Sequence, residues 1–235
     1  MPAKNSLKAY LSNSYYHIYN RGVEKRPIFQ DDQDRAVFLS YLKTYLMPKD
    51  EAKLKRIIAD EKSPWKEKDQ ALKLLRLNNF HGEITLLAYC LMPNHFHLLI
   101  KQKSPESIDK FMNSHATRYT MYFNKKNKRV GSLFQNVYKA VGVESDAQLL
   151  YLTSYIHRNP LAIKSRKSAS QGDALRTYFS QPSSLPEYLG MRHTEWISPE
   201  EILSFFSKTN PKLSYKAFIQ QNEDLTIIRD YLLDF

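Results

Sequence analysis

The chain has 235 residues, 42% of them hydrophobic and 13% aromatic, which excludes a wholly disordered polymer and suffices for one large domain or one domain with an appendage. Thirty-five Lys and Arg against 24 Asp and Glu leave a net charge of +11 at pH 7, a balance suited to a polyanion such as nucleic acid and, second, to an anionic membrane surface. One cysteine, Cys90, excludes an internal disulfide or a cysteine-rich zinc site and fits a reducing compartment. No apolar run approaches the roughly 20 residues that span a bilayer, and Met1 to Ser14 lacks the apolar core of a signal peptide.

Tyr15 to Asn20 is aromatic and β-branched and stops at Arg21-Gly22, which predicts a first strand ending in a turn. From Asp31 to Leu46 the apolar residues Val37, Phe38, Tyr41, Leu42 and Tyr45 recur at helical spacing behind an acidic start. Lys49 to Asn79, rich in mixed charge and broken at Ser63-Pro64, reads as an inserted, solvated helical pair. Ile84 to Met92 and Phe96 to Ile100 are nearly continuous apolar runs around Pro93-Asn94, the pattern of a buried antiparallel hairpin. A helix is expected from Ser104-Pro105-Glu106 to the basic run Lys125 to Arg129, then a strand over Ser132 to Val143. Ser145-Asp146 caps a further helix that Asn159-Pro160 should end. The order β, α, insertion, β-hairpin, α, β, α predicts an α+β protein with a ferredoxin-like antiparallel sheet carrying helices. The expected organisation is a domain over 1–164, a Ser, Gln, Gly and Pro-rich linker over 165–184, and a small helical C-terminal appendage over 185–235.

Two segments carry chemistry. On a strand, residues two apart share a face about 7 Å from one another, so His95 and His97 aim two imidazoles at one spot, a geometry that suits a divalent metal. The plain alternative is that they are polar positions of an alternating strand. On the later helix, Tyr155 and Asn159 are four residues apart and share a face, while His157 points elsewhere. Here the plain alternatives are a core tyrosine and a helix-stopping asparagine, and Tyr151 competes with Tyr155.

Together the two segments resemble a family. His95-Phe96-His97 matches the histidine, hydrophobe, histidine motif of the HUH endonucleases, and Tyr155-Ile156-His157-Arg158-Asn159-Pro160 is similar to the tyrosine helix of their single-tyrosine, insertion-sequence-200-like transposases. The opening Tyr16-His17-Ile18-Tyr19-Asn20-Arg21-Gly22 resembles the first strand of the branch called REP-associated tyrosine transposases, and Glu187-Tyr188-Leu189-Gly190 with Tyr215-Lys216-Ala217-Phe218-Ile219 resembles its tail. The resemblance implies a transposase-like endonuclease and strand transferase acting on single-stranded DNA beside a hairpin of repetitive palindromic or transposon-end type. It implies Tyr155 as nucleophile, a 5′-phosphotyrosine intermediate, and Mg²⁺ or Mn²⁺ held by His95, His97 and Asn159. It further implies a cytoplasmic, nucleoid-associated monomer or homodimer with no membrane partner. The chain departs from the family in the charged insertion and in Asn159, where some members of the wider family have Gln.

Arg21, Lys103, Lys110, Arg118, Lys125, Lys126, Lys128, Arg129, Lys139 and Arg158 are the candidate DNA contacts, which would give affinity and a steep salt dependence rather than sequence choice. Two rival readings are a non-catalytic DNA- or RNA-binding module on the same fold and a zinc hydrolase using the two histidines. The second lacks a third strong ligand at metal spacing, and Cys90 reads as a small buried hydrophobe.

Overall fold

The computed structural model describes residues 10–164 and 181–220. Its centre is a four-stranded sheet of β1 (Ser14–Arg21), β2 (Ile84–Met92), β3 (His95–Gln102) and β4 (Lys139–Val143), in the order β2-β3-β1-β4. Each neighbouring pair is antiparallel. Helix α1 (Asp32–Leu46) lies between β1 and β2 in sequence, and α4 (Ser107–Lys126) between β3 and β4. That order and pairing is the ferredoxin-like α+β arrangement the sequence predicts. The insertion is a helical pair, α2 (Glu51–Ala59) and α3 (Trp65–Arg76), in which only Ala71 is buried.

Strand periodicity divides the sheet between two cores. Tyr16, Ile18, Phe96, Leu98 and Ile100 face α1 and α4, where they meet Phe38, Leu42, Tyr45, Phe111, Tyr119 and Phe123. Asp31 caps α1 by accepting from the Asp34 backbone N–H. Asp34 itself is buried, and accepts from Lys126 Nζ at 2.7 Å, Tyr122 Oη at 3.0 Å and the Gln30 backbone at 2.8 Å, so its charge is matched and α1 is tied to α4.

The opposite face is covered by α5 (Asp146–Lys164), whose Leu149, Leu152 and Ile156 pack on Leu87, Ala88, Cys90 and Leu99. A bulge in β2 between Leu86 and Ala88 makes this possible. The extra residue turns Leu87 and Ala88 both toward α5, where strict alternation would send one of them away.

Two boundaries differ from expectation. The strand predicted over Ser132 to Val143 forms only from Lys139. Leu133 and Phe134 are adjacent and both buried, at 1% and 8% exposure, which breaks the two-residue alternation a strand needs. The segment instead folds against the end of β1, with Val23 N–H on the Leu133 carbonyl and a bridge from Gly22 to Phe134. Helix α5 also runs through Pro160 rather than ending at Asn159. A proline keeps helical φ but inside a helix removes one backbone donor and crowds the carbonyl four residues back, a cost α5 carries near its end, while the Asn159 Nδ2 donates to the Tyr155 carbonyl at 3.1 Å one turn back.

Gly22, where β1 ends, has a strict size limit. A Cβ there would stand 2.3 Å from the Arg26 carbonyl and 2.9 Å from Ile28 Cγ2. Gly22→Ala is therefore expected to destabilise the protein by about 2 kcal/mol, visible as a lower urea midpoint with an unchanged slope.

Of the predicted linker, residues 165–180 lie outside the described residues. Pro182 to Ser184 runs along the free edge of β2, the Pro182 carbonyl accepting from Leu91 at 2.9 Å and Ser184 N–H donating to Tyr89 at 3.0 Å. Three short helices follow: α6 (Leu185–Tyr188), α7 (Glu200–Leu203) and α8 (Tyr215–Gln220). Leu185, Tyr188, Ile202, Tyr215 and Ile219 share one core with α5, so the C-terminal segment covers a sheet edge that would otherwise expose unpaired backbone.

Candidate active site

The same alternation that builds the two cores decides which polar groups meet. β1 and β3 are adjacent, with Tyr19 opposite His97 and Arg21 opposite His95. The α5 side of that sheet end therefore presents His17, Tyr19, Arg21, His95 and His97 together. Helix α5 crosses this face with its apolar side down, which turns the half-buried Tyr155 toward the histidines. Its ring centroid is 5.6 Å from that of His97 and 6.3 Å from that of His17, both edge-on. The His95 and His97 rings are 5.0 Å apart at 89°.

His97 is fully buried. Burial first, then the neighbouring His95 and His17, hold it well below the ordinary histidine range, so the ring is neutral. Its Nδ1 lies 2.8 Å from His17 Nε2, and its Nε2 is buried without a hydrogen-bond partner. Because Asn159 Nδ2 is engaged with the helix backbone, its oxygen is the end left to interact. The carboxamide stands close enough to favour the protonated His97 ring, yet falls short of a hydrogen bond to it. His95 is partly exposed and has its Nδ1 2.7 Å from Asn94 Oδ1.

The structure thus brings His95, His97, Tyr155 and Asn159 to one place from within a single chain. Among the described residues, no group of three His, Cys, Asp or Glu is placed to hold a metal. A protein ligand beyond the two histidines would be a carboxamide, and the buried His97 Nε2 beside Asn159 fits that. Tyr151 is turned elsewhere, its ring 5.5 Å from Phe218 in the C-terminal segment. His157 is a clamp inside the second core, between Tyr215 Oη at 2.6 Å and Ser184 Oγ at 2.8 Å. Cys90 is fully buried and its thiol is pushed upward by burial, which leaves it inert.

The cations divide into three groups. At the site, Arg21 is half-buried opposite His95, Lys139 holds its Nζ 5.6 Å from the Tyr19 ring centre, and Arg158 is half-buried on α5. The Lys125 to Arg129 run closes α4 and leads back to the end of β1, so it borders the same end of the sheet from the other layer. Within that run Lys125 and Lys128 are exposed, Lys126 is paired with Asp31 and Asp34, and Arg129 donates to Asn124. Lys103 and Lys110 belong to the far end of β3, Lys110 paired with Glu106, and Arg118 stacks 3.8 Å over Tyr41 between α4 and α1.

The residue that sequence reasoning missed is His17. Its signal was present: in a ferredoxin-like order β1 lies beside β3, and Tyr19 and His17 then alternate on the face of the two histidines.

Residues 64–159, somewhat less than half of the chain, match the family model described as "Transposase IS200 like". This stretch is similar to IS200-like transposases. Both histidines, Tyr155 and Asn159 fall inside it, whereas β1 with His17 lies before it. No curated protein matches the chain. Among solved structures, a REP-associated tyrosine transposase bound to a REP hairpin aligns with a TM-score of 0.47 at 10% identity, over 90% of this chain and 97% of its own. A candidate transposase from Deinococcus radiodurans R1 aligns with a TM-score of 0.26 at 16% identity, over 70% of this chain and 99% of its own. The matched stretch contains α3, the β2-β3 hairpin, α4, β4 and most of α5, and all of these but α3 frame the candidate site. Among the described residues no helix is long and apolar enough to cross a membrane.

Proposed function

We propose that this protein is a metal-dependent single-tyrosine DNA strand transferase of the REP-associated kind, which cuts single-stranded DNA beside a hairpin and rejoins it through a 5′-phosphotyrosine. The observation that carries this reading is the approach of Tyr155 to His97, 5.6 Å between ring centres, made by a helix and a strand of the same chain. His95, His97 and Asn159 would hold a divalent cation, which supplies Lewis-acid polarisation of a phosphoryl oxygen and a template for the scissile bond. Two imidazoles and a carboxamide differ from the all-oxygen shell that Mg²⁺ prefers, so Mn²⁺ should serve at least as well.

The chain's own groups do the rest. The Tyr155 oxygen attacks phosphorus, the bond to the 3′ oxygen breaks, and the departing oxygen takes up a proton to become a free 3′-OH. The phenol must lose its proton to attack, since an unperturbed tyrosine ionises near pH 10. The phosphotyrosine keeps the energy of the phosphodiester, so the 3′-OH of another strand can reverse the step and join DNA without a nucleotide cofactor. Arg21, Lys139 and Arg158 flank the site and would hold the strand by its phosphates, while the exposed Lys125 and Lys128 extend the track.

The test is direct. Purified protein, Mn²⁺ and a labelled library of hairpin-bearing single strands should give a protein–DNA species that survives a denaturing gel, and its DNA names the substrate. Binding to the library without any covalent species, in Mn²⁺ or Mg²⁺, would favour the non-catalytic module.

A further inference from the structure

His17 occupies an unusual place. It is fully buried on β1, its ring stacked on that of His97 at 5.0 Å and 15°, with Nε2 2.8 Å from His97 Nδ1. One proton is shared between the two rings, and its position decides which nitrogen of His97 is bare. If His17 donates, His97 carries its own proton on Nε2, the nitrogen that faces the site. If His17 accepts, His97 is protonated on Nδ1 and its Nε2 lone pair is free to bind a cation. The first arrangement leaves an N–H on His97 Nε2 and the second leaves one on His17 Nδ1, both of them buried nitrogens, and only the second offers a lone pair to the site.

We propose that His17 is a positioning residue that accepts the Nδ1–H of His97 through its own Nε2, fixing the His97 tautomer and ring so that Nε2 is presented to a divalent cation. The inference rests on the metal-dependent reading above and extends it to a residue outside the two-histidine motif. Metal-bound histidines usually donate their second N–H to a carboxylate or a carbonyl. Here the acceptor is a neutral imidazole, so the supporting group brings no negative charge to a site whose partner is a phosphodiester. Two neutral histidines, a carboxamide and a neutral support leave the cation's charge undiminished for the phosphate.

Two measurements decide it, both on the full chain. Nitrogen NMR of metal-free protein labelled at its histidines reads each tautomer: His97 should be protonated at Nδ1 and bare at Nε2, and His17 bare at Nε2. A His97 protonated at Nε2 overturns the proposal without reference to any activity. The second measurement is Mn²⁺ affinity by electron paramagnetic resonance for the wild type, His17→Gln and His17→Leu. Gln can place its oxygen near the position of Nε2 and accept, so it should stay close to wild type; Leu fills the space but cannot accept, and should weaken binding by about 10–100-fold. Leu binding as tightly as wild type refutes the role of His17. Equal losses in Gln and Leu, both still folded by circular dichroism, also refute it, since simple packing would then explain the effect. Wild type that binds no Mn²⁺ would instead remove the metal reading on which the inference stands, and the NMR result separates the two failures.

Discussion

Tyr155→Phe should abolish the covalent protein–DNA species, by at least about a thousandfold, while hairpin binding stays within about twofold of wild type. The substitution removes one oxygen and keeps the ring that packs edge-on against His97 and His17, so no cavity opens and the fold should hold. Binding should persist because the phosphate contacts come from lysine and arginine side chains rather than from the phenol. Denaturing gels measure the first quantity and filter binding the second. If the adduct survived, the structure names the substitute. Tyr151 is turned into the C-terminal core against Phe218, whereas the Tyr19 ring is 6.0 Å from His97. Tyr19 is the weaker nucleophile of the two at the site, because it is 4% exposed and burial pushes its phenol above the ordinary range. Tyr19→Phe should therefore leave the adduct intact, and loss of the adduct in that variant alone would move the attacking oxygen from α5 to β1.

The contrast between Tyr151 and Tyr155 shows where sequence reading ends. Both lie on one helix at a spacing of four, and periodicity alone cannot separate them. What separates them is the C-terminal segment, whose Phe218 takes Tyr151 and whose Tyr215 and Ser184 take His157. Those contacts join positions between 27 and 67 residues apart, and no local pattern announces them. His95 and His97 were legible because a strand's period of two is rigid, and their shared face follows from spacing alone. His17 needed one further step, the neighbour relation of β1 and β3, which is a property of the whole topology.

The fold was legible for related reasons. Ile84 to Met92 is so continuously apolar that its strand is bounded by its own composition, and its observed limits coincide with the reading. The β2 bulge was not legible, since Leu86, Leu87 and Ala88 are all apolar and nothing in the run marks an extra residue. The shortfall of β4 has the opposite origin. Leu133 and Phe134 are held by the Gly22 turn rather than by the sheet, so tertiary anchoring overrode a loosely alternating pattern. Pro160 misled because a missing donor and a ring crowding the carbonyl four residues back usually end a helix, and α5 carries both in its last turns.

The protein should lose stability steeply between about pH 6.5 and pH 4, before most carboxylates titrate. His115 and His157 are both fully buried, and burial pushes each down to about 3. An unfolded histidine ionises near 6.5, so between these values the unfolded chain binds protons that the folded chain refuses. More protons on the unfolded state means that stability rises with pH and is lost as pH falls, by about 1.4 kcal/mol per pH unit for each histidine. These two and His97, which burial likewise holds well below the ordinary histidine range, together give roughly 4 kcal/mol per unit, and a domain of ordinary stability, about 5–15 kcal/mol, would be largely spent within a few units. Urea titrations followed by circular dichroism from pH 8 to pH 4.5 measure the slope. The two histidines differ in a way that makes the test specific. His157 is satisfied by Tyr215 and Ser184, so replacing it would break a clamp. His115 sits among Phe38, Tyr45 and Phe111 with neither ring nitrogen hydrogen-bonded, so it holds a desolvated polar ring that makes no compensating bond. His115→Leu should therefore leave stability at pH 8 equal or higher and lower the slope below pH 6.5 by about a third. A slope unchanged by that substitution, or a stability that stays flat from pH 7 to pH 5, would mean that the buried rings admit protons without unfolding.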